Sequence, residues 1–293
     1  MSRWMIGLAA LAASGLAQAL EVVATTPHMG MLARVVGGEA VNVTVLAPPD
    51  RDVHYLQARP SMMRALRSAD LVIAVGADLE VGWLPAALEG AANPGVLPGR
   101  PGYFEAAAQV ELLQEDVPAD RAHGDVHPAG NPHLYLDPVR MAEVAEALAG
   151  RLARLGGGEA AAFTERAHAF TTEVEQRLPA WQEKVAGASG AILFHKDADY
   201  LLRRLDVPAL GYVEPLPGIP PTAAHLRELV RQHQGEQGVV IRSNHQPARG
   251  PEFVARQLDW PLHALPHEPP LDADMQAYFA LIERWVDALA EAR

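Results

Sequence analysis

A helical run from about Glu159 to Val185 divides this sequence into two stretches, each alternating strand-like and helix-like segments. Phe163, Ala167, Phe170, Val174 and Leu178 recur at three- and four-residue steps, which places them on one face of a helix. Pro179 predicts a kink. At about 1.5 Å per residue the run spans roughly 40 Å. One small lobe does not need such a length, so the run reads as a rod joining two lobes.

The segments before the rod follow the order strand, helix, strand, helix, strand. EVVATT is a β-branched run, MGMLARVVGG a helix closed by glycines, VNVTVL an alternating strand and DLVIAVG a buried one. Ser61 is placed to cap the intervening short helix, and a Pro/Gly-rich stretch follows WLPAALEGA. After the rod the pattern restarts with AILF, DADYLLRRL, VPALGYV, TAAHLRELVRQHQG, GVVIRS, PEFVARQL, PLHALP and a closing helix, MQAYFALIERWVDALAEA. This order predicts an α/β fold: two lobes with mostly parallel sheets, bridged by one long α-helix. The boundaries read as a signal peptide at 1–19, a first lobe at 20–157, the bridging helix at 158–187 and a second lobe at 188–293.

One arginine, Arg3, precedes a short apolar run, and Ala17-Gln18-Ala19 is a small-x-small pattern, so a secretory signal cut after Ala19 is expected. The mature chain is then expected to be soluble outside the cytoplasmic membrane, in the periplasm. The formal net charge of −12 argues against charge-driven binding to nucleic acid or to an anionic membrane. The chain has 12 histidines and no cysteine, so any metal must be held by nitrogen and oxygen donors.

Three histidines occupy well-placed settings. In Asn131–Pro138, NPHLYLDP, Pro132 stiffens the backbone beside His133, while Asp137 and Pro138 are suited to open the next helix. His54 lies in the loop after the second strand, and His195 ends the first strand of the second lobe. Ligands of open α/β lobes bind beyond the carboxyl ends of the strands, so all three can face one crevice between the lobes. Three neutral imidazoles and one further donor make a tetrahedral zinc site. His28, at the end of the first strand, can also reach the crevice, whereas His123 and His127 belong to a histidine-bearing loop suited to weak metal capture. His168, His225 and His233 lie on helices and read as solvent-facing.

The stretches VNVTVLAPPDRDVHYLQARPSMMRALRSADLVIAVGADLE, NPHLYLDP, ILFHKDADYLL and the segment around MQAYFALIERW resemble the metal-specific, zinc/manganese-type solute-binding proteins of bacterial ABC importers. The resemblance covers nearly the whole mature chain. It implies two α/β lobes bridged by a long helix, with the metal between them. It also implies a periplasmic protein, not an enzyme, that carries Zn(II) as its transported ligand and hands it to a membrane ABC permease, working as a monomer. Carried over by position, the metal ligands fall on His54, His133 and His195. The fourth falls in the loop LPHEPPLDAD, where His267 is the nearest match and Glu268, Asp272 and Asp274 are the alternatives. Family members biased toward manganese use two histidines and two carboxylates, so a site richer in imidazole favours zinc. The chain departs from the family pattern at Lys196, where an acidic residue is common, and at Arg242, Ser243, Asn244 and His245, where a glutamate is common.

Two rivals differ in class. A zinc hydrolase would use the same histidines, but no HExxH pattern or general base at a recognisable spacing is present. A carrier of iron chelates or corrinoids shares the bridging helix without needing a histidine cluster.

Overall fold

The computed structural model describes residues 19–114, 127–156, 159–216 and 218–293. The expected leader, apart from Ala19, and His123 lie outside the described residues.

The first lobe is built from β1 (Leu20–Ala24), α1 (Pro27–Gly37), β2 (Val41–Val45), α2 (Pro60–Arg67), β3 (Leu71–Ala74), α3 (Leu84–Ala91) and β4 (Tyr103–Glu105). Its strands are all parallel, in the order β2-β1-β3-β4. β4 lies in the stretch that composition marks only as rich in proline and glycine. It has three residues and sits at the sheet edge, so it carries little periodic signal. Helix α2 begins at Pro60 with Arg59 at its cap, two residues earlier than a cap at Ser61 gives, because proline is already set for the first helical position.

The chain then forms α4 (Pro138–Gly156) and the long α5 (Ala160–Val185). The second lobe follows with β5 (Ala191–Leu193), α6 (Asp199–Arg204), β6 (Ala209–Tyr212), α7 (Ala223–Gln232), β7 (Val239–Ser243), α8 (Arg249–Leu258), β8 (Leu262–Leu265) and α9 (Met275–Ala290). Its parallel order, β6-β5-β7-β8, repeats that of the first sheet. In both sheets the order in which strands are added reverses between the two central parallel strands, and the carboxyl ends of such a pair form a natural binding crevice. His28 follows β1, His195 follows β5 and His245 follows β7, so the topology delivers imidazoles to these points.

Helix α5 buries Phe163, Ala167, Phe170, Val174, Trp181 and Val185 against α1, α4 and α9. Pro179 sits on its exposed side, where water can serve the carbonyl left without a donor. Phe170 stacks on Phe279 of α9, with ring centroids 5.5 Å apart, so the last helix is clamped to the bridge. A continuous core runs from the first sheet through α5 and α9, and a second, smaller cluster around Ile192, Phe194, Val240 and Trp260 fills the outer side of the second sheet. His225 and His233 are anchored to the edge strand β6 through the carbonyls of Tyr212 and Leu210, at 2.9 Å each, and so do more than face solvent. Among the described residues no helix is long and apolar enough to cross a membrane.

Candidate metal centre

Each of the three marked histidines reaches the crevice on a different element, and each has its Nδ1 occupied. His54 lies in a single 3-10 turn, Val53–Tyr55, after β2. Asp52 accepts from the His54 backbone N–H at 3.0 Å and lies 2.7 Å from Nδ1. These bonds outweigh burial and hold the Asp52 carboxyl well below the usual carboxylate range. His133 is fixed by Asn131, whose Oδ1 accepts from its backbone N–H at 2.9 Å, and its Nδ1 lies 2.8 Å from the Tyr135 hydroxyl. His195 follows β5, and its Nδ1 lies 2.8 Å from Glu214 Oε2.

With Nδ1 turned toward a carboxylate or hydroxyl, the Nε2 atoms are left to face one another. His133 and His195 approach to 3.2 Å between Nε2 atoms. The His54 ring centroid lies 5.2 Å from that of His133 and 5.9 Å from that of His195. An imidazole whose Nδ1–H is donated to a carboxylate carries its lone pair on Nε2. Where His195 gives up its Nε2 proton, its lone pair and that of His133 face each other, and a cation between them relieves the repulsion.

His127 joins the group. Its Nε2 lies 3.2 Å from His54 Nε2, and nitrogens of His54, His127 and His133 all fall within 4.8 Å of one another, a spacing a single metal ion can bridge. The sequence marked His127 only as part of a capture loop. The one available signal was its place six residues before His133 on the same loop.

His267 stands one hydrogen bond further back. Its Nε2 lies 3.0 Å from the Tyr135 hydroxyl, and its ring centroid is 6.2 Å from that of His133. Tyr135 therefore bridges His133 and His267 and engages Nε2 of the latter. Its Nδ1 has no hydrogen-bond partner and lies 3.8 Å from Asp197 Oδ2. Glu268 is committed to His28, accepting from its backbone N–H at 3.0 Å and lying 2.6 Å from its Nδ1. Asp272 is exposed, and Asp274 caps α9 by accepting from the Ala277 N–H at 2.8 Å. His28 stacks on Tyr135 at 4.7 Å between centroids and so buttresses the centre from behind.

The environment tunes the imidazoles in opposite directions. Burial, helped by the neighbouring histidines, pushes His133 well below the ordinary value for histidine. Burial acts on His195 in the same sense, but the Glu214 hydrogen bond and nearby carboxylates overcome it and raise its pKa. Burial brings His267 down to about 3. The Lys196 ammonium lies over the Tyr212 ring, 5.6 Å from its centroid. Arg242 donates to the carbonyls of Ser243, Asn244 and Gln246 and shapes the loop after β7.

Comparison with known proteins gives the family. Residues 22–292 match the model of the family described as "Zinc-uptake complex component A periplasmic". The chain belongs to this family. It is 25% identical over 241 residues to the high-affinity zinc uptake system protein ZnuA of Yersinia pestis, a match covering 77% of this chain and 75% of that protein. A crystal structure of ZnuA superposes with a TM-score of 0.78 at 20% identity, covering 93% of this chain and 100% of that one. The SBP FpvC of Pseudomonas aeruginosa in complex with Mn2+ gives the same score and identity over 94% of this chain and 98% of its own. These superpositions establish the shared fold. The family is one of solute-binding components of metal uptake.

Proposed function

We propose that the protein captures Zn(II) in the crevice between its lobes and delivers it to the permease of an ABC importer. His54, His133 and His195 supply three donors. His127 supplies the fourth in preference to His267, Glu268, Asp272 or Asp274, because its Nε2 already lies among the others while His267 and Glu268 are engaged elsewhere. The observation that carries this reading is the 3.2 Å approach of His133 Nε2 to His195 Nε2, with both Nδ1 atoms occupied. An all-imidazole set is softer than the mixed carboxylate sets that suit manganese, and it selects zinc. Four protein donors leave no open position for a reactive water, which suits a carrier and not a hydrolase. One chain supplies every donor, so a monomer suffices. The periplasm is the place of action, reached by removal of residues 1–19.

The test is direct. Metal-free protein, equilibrated with Zn(II) near neutral pH and freed of excess ion, retains one zinc per chain by elemental analysis. Retention of no zinc overturns the assignment. A tenfold excess of Mn(II) leaves the bound zinc in place.

A further inference from the structure

The crevice is far larger than its ion. It encloses about 1360 Å³, whereas one water occupies about 30 Å³ of liquid and pockets for organic ligands run from about 300 to 1,000 Å³. Its second-lobe wall includes Phe194, Pro221, Leu226 and Phe253, an apolar surface with no role in holding a bare ion.

The exposed charge around it is chiefly guanidinium. Arg51, Arg59, Arg227 and Arg249 line the crevice and are exposed. Among the described residues, the ion pairs formed by arginine involve Arg140, Arg177, Arg204 and Arg231 and none of these four. Five carboxylates also line the space, but four are occupied: Asp52 by His54, Glu214 by His195, Glu268 by His28, and Asp197 by Ser243 and Gln246. Asp50 alone is exposed. Of the exposed charges that line the space, four are guanidiniums and one, Asp50, is a carboxylate, in a chain of net charge −12. Exposed guanidiniums draw anions to such a rim. Helices α7 and α8 pack together where Gly250 meets Leu226, with a Cβ at Gly250 coming within 3.9 Å of the leucine, so Arg227 and Arg249 flank one contact. No side chain caps the N-terminus of α8, which adds positive potential there. A guanidinium pairs with a carboxylate through two parallel hydrogen bonds, so guanidiniums lining one space suit a molecule with several carboxylates.

We propose that the crevice carries zinc together with a small polycarboxylate anion. Its carboxylates pair with Arg227 and Arg249, and one carboxylate oxygen takes the zinc position that His127 occupies for the bare ion. The exchange swaps one neutral nitrogen donor for one anionic oxygen donor and leaves His54, His133 and His195 in place. This inference rests on the zinc assignment.

Citrate is the probe. Zinc-loaded wild-type protein and an Arg227→Ala/Arg249→Ala variant are titrated with citrate by calorimetry, and the products are weighed by native mass spectrometry. Zinc affinity in citrate-free buffer serves as the check that each protein is folded. The expected result is a one-to-one-to-one complex of protein, zinc and citrate, with citrate affinity at least tenfold weaker in the variant. Two results overturn the inference. In one, citrate only strips zinc, to the same extent from both proteins. In the other, citrate binding is equal in both while the variant loses stimulation of the permease, which makes the arginines a docking face. Failure of the metal-free protein to take up zinc in citrate-free buffer is a separate result and sinks the zinc assignment itself.

Discussion

His133 Nε2 and His195 Nε2 lie 3.2 Å apart across the boundary between the lobes, although 62 residues separate them in the chain. Neither ring is free to turn away. The Tyr135 hydroxyl holds one by its Nδ1 and Glu214 holds the other. This is the arrangement in which outer partners fix the tautomer and aim the free nitrogen at a metal.

The supports and the ligands should therefore differ in effect. Tyr135→Phe or Asp52→Ala leaves every imidazole present but releases one ring, at a cost of about 10-fold in zinc affinity. His54→Ala or His133→Ala removes a donor and costs more than about 100-fold, beyond the range of an outer partner. Competition against a chromogenic chelator at fixed pH measures both. Equal losses for Tyr135→Phe and His133→Ala would show that the tyrosine, and not the imidazole, holds the ion.

The fourth donor can be separated in the same assay. His127→Ala lowers zinc affinity by about 10-fold or more, whereas His267→Gln, one hydrogen bond behind Tyr135, lowers it less. The reverse order would restore His267 to the site.

Acid should release the metal by way of His195. Burial lowers its pKa, but the Glu214 hydrogen bond and the neighbouring carboxylates overcome this, so the net shift is upward from 6.5. A raised histidine pKa means that the metal-free site keeps its proton to higher pH than a free imidazole does, and zinc must displace that proton. Zinc affinity accordingly falls as pH drops through the raised pKa, by up to tenfold per pH unit for this one proton. Before zinc binds, the same protonated pair adds stability that is complete below 6.5 and is lost as pH rises through the raised value. Calorimetry in buffers of different ionisation heat counts the displaced proton. Glu214→Gln should reduce that count, and an unchanged count would assign the proton elsewhere.

His267 should govern acid stability with the opposite sign. Burial brings its pKa down to about 3, so the folded protein holds it neutral while the unfolded chain protonates it near 6.5. Its contribution is complete above 6.5 and is lost as pH falls toward about 3, at up to about 1.4 kcal/mol per pH unit. Urea unfolding of metal-free protein over this range should show the slope, and His267→Gln should flatten it. A variant with the same slope as wild type would exclude His267 as the source.

The two-lobed frame was legible because its signals are local. The strand and helix periods alternate, and Phe163, Phe170 and Val174 mark one face of the bridge. His54, His133 and His195 were legible because turns, prolines and strand ends place them. The proposed choice among the remaining imidazoles was not, because it rests on Tyr135. Its hydroxyl lies in what reads as an apolar run, yet it reaches both His133 and His267. Nor can a pattern reveal that Glu268 serves His28, a residue 240 positions away. Such pairings exist only once α1 and the loop before α9 share one crevice.

Asp137 ties the metal loop to both lobes. It is fully buried, and its Oδ2 accepts from Arg140 of α4 at 2.7 Å. Arg204 of α6 approaches both carboxylate oxygens at 3.0 Å, and the Val139 N–H donates to Oδ1 at 3.1 Å. Removing one member of a buried ionic group strands the remaining charge and costs about 3–5 kcal/mol. Arg140 and Arg204 each retain partial contact with solvent, so Asp137→Ala should fall at the lower end, about 3 kcal/mol in urea unfolding. Because Asp137 lies four residues after His133 without touching the cluster, zinc affinity of the folded variant should change by less than about 10-fold. A stability loss under about 1 kcal/mol would mean that the two arginines find other partners and that the lobes are held chiefly by α5 and α9.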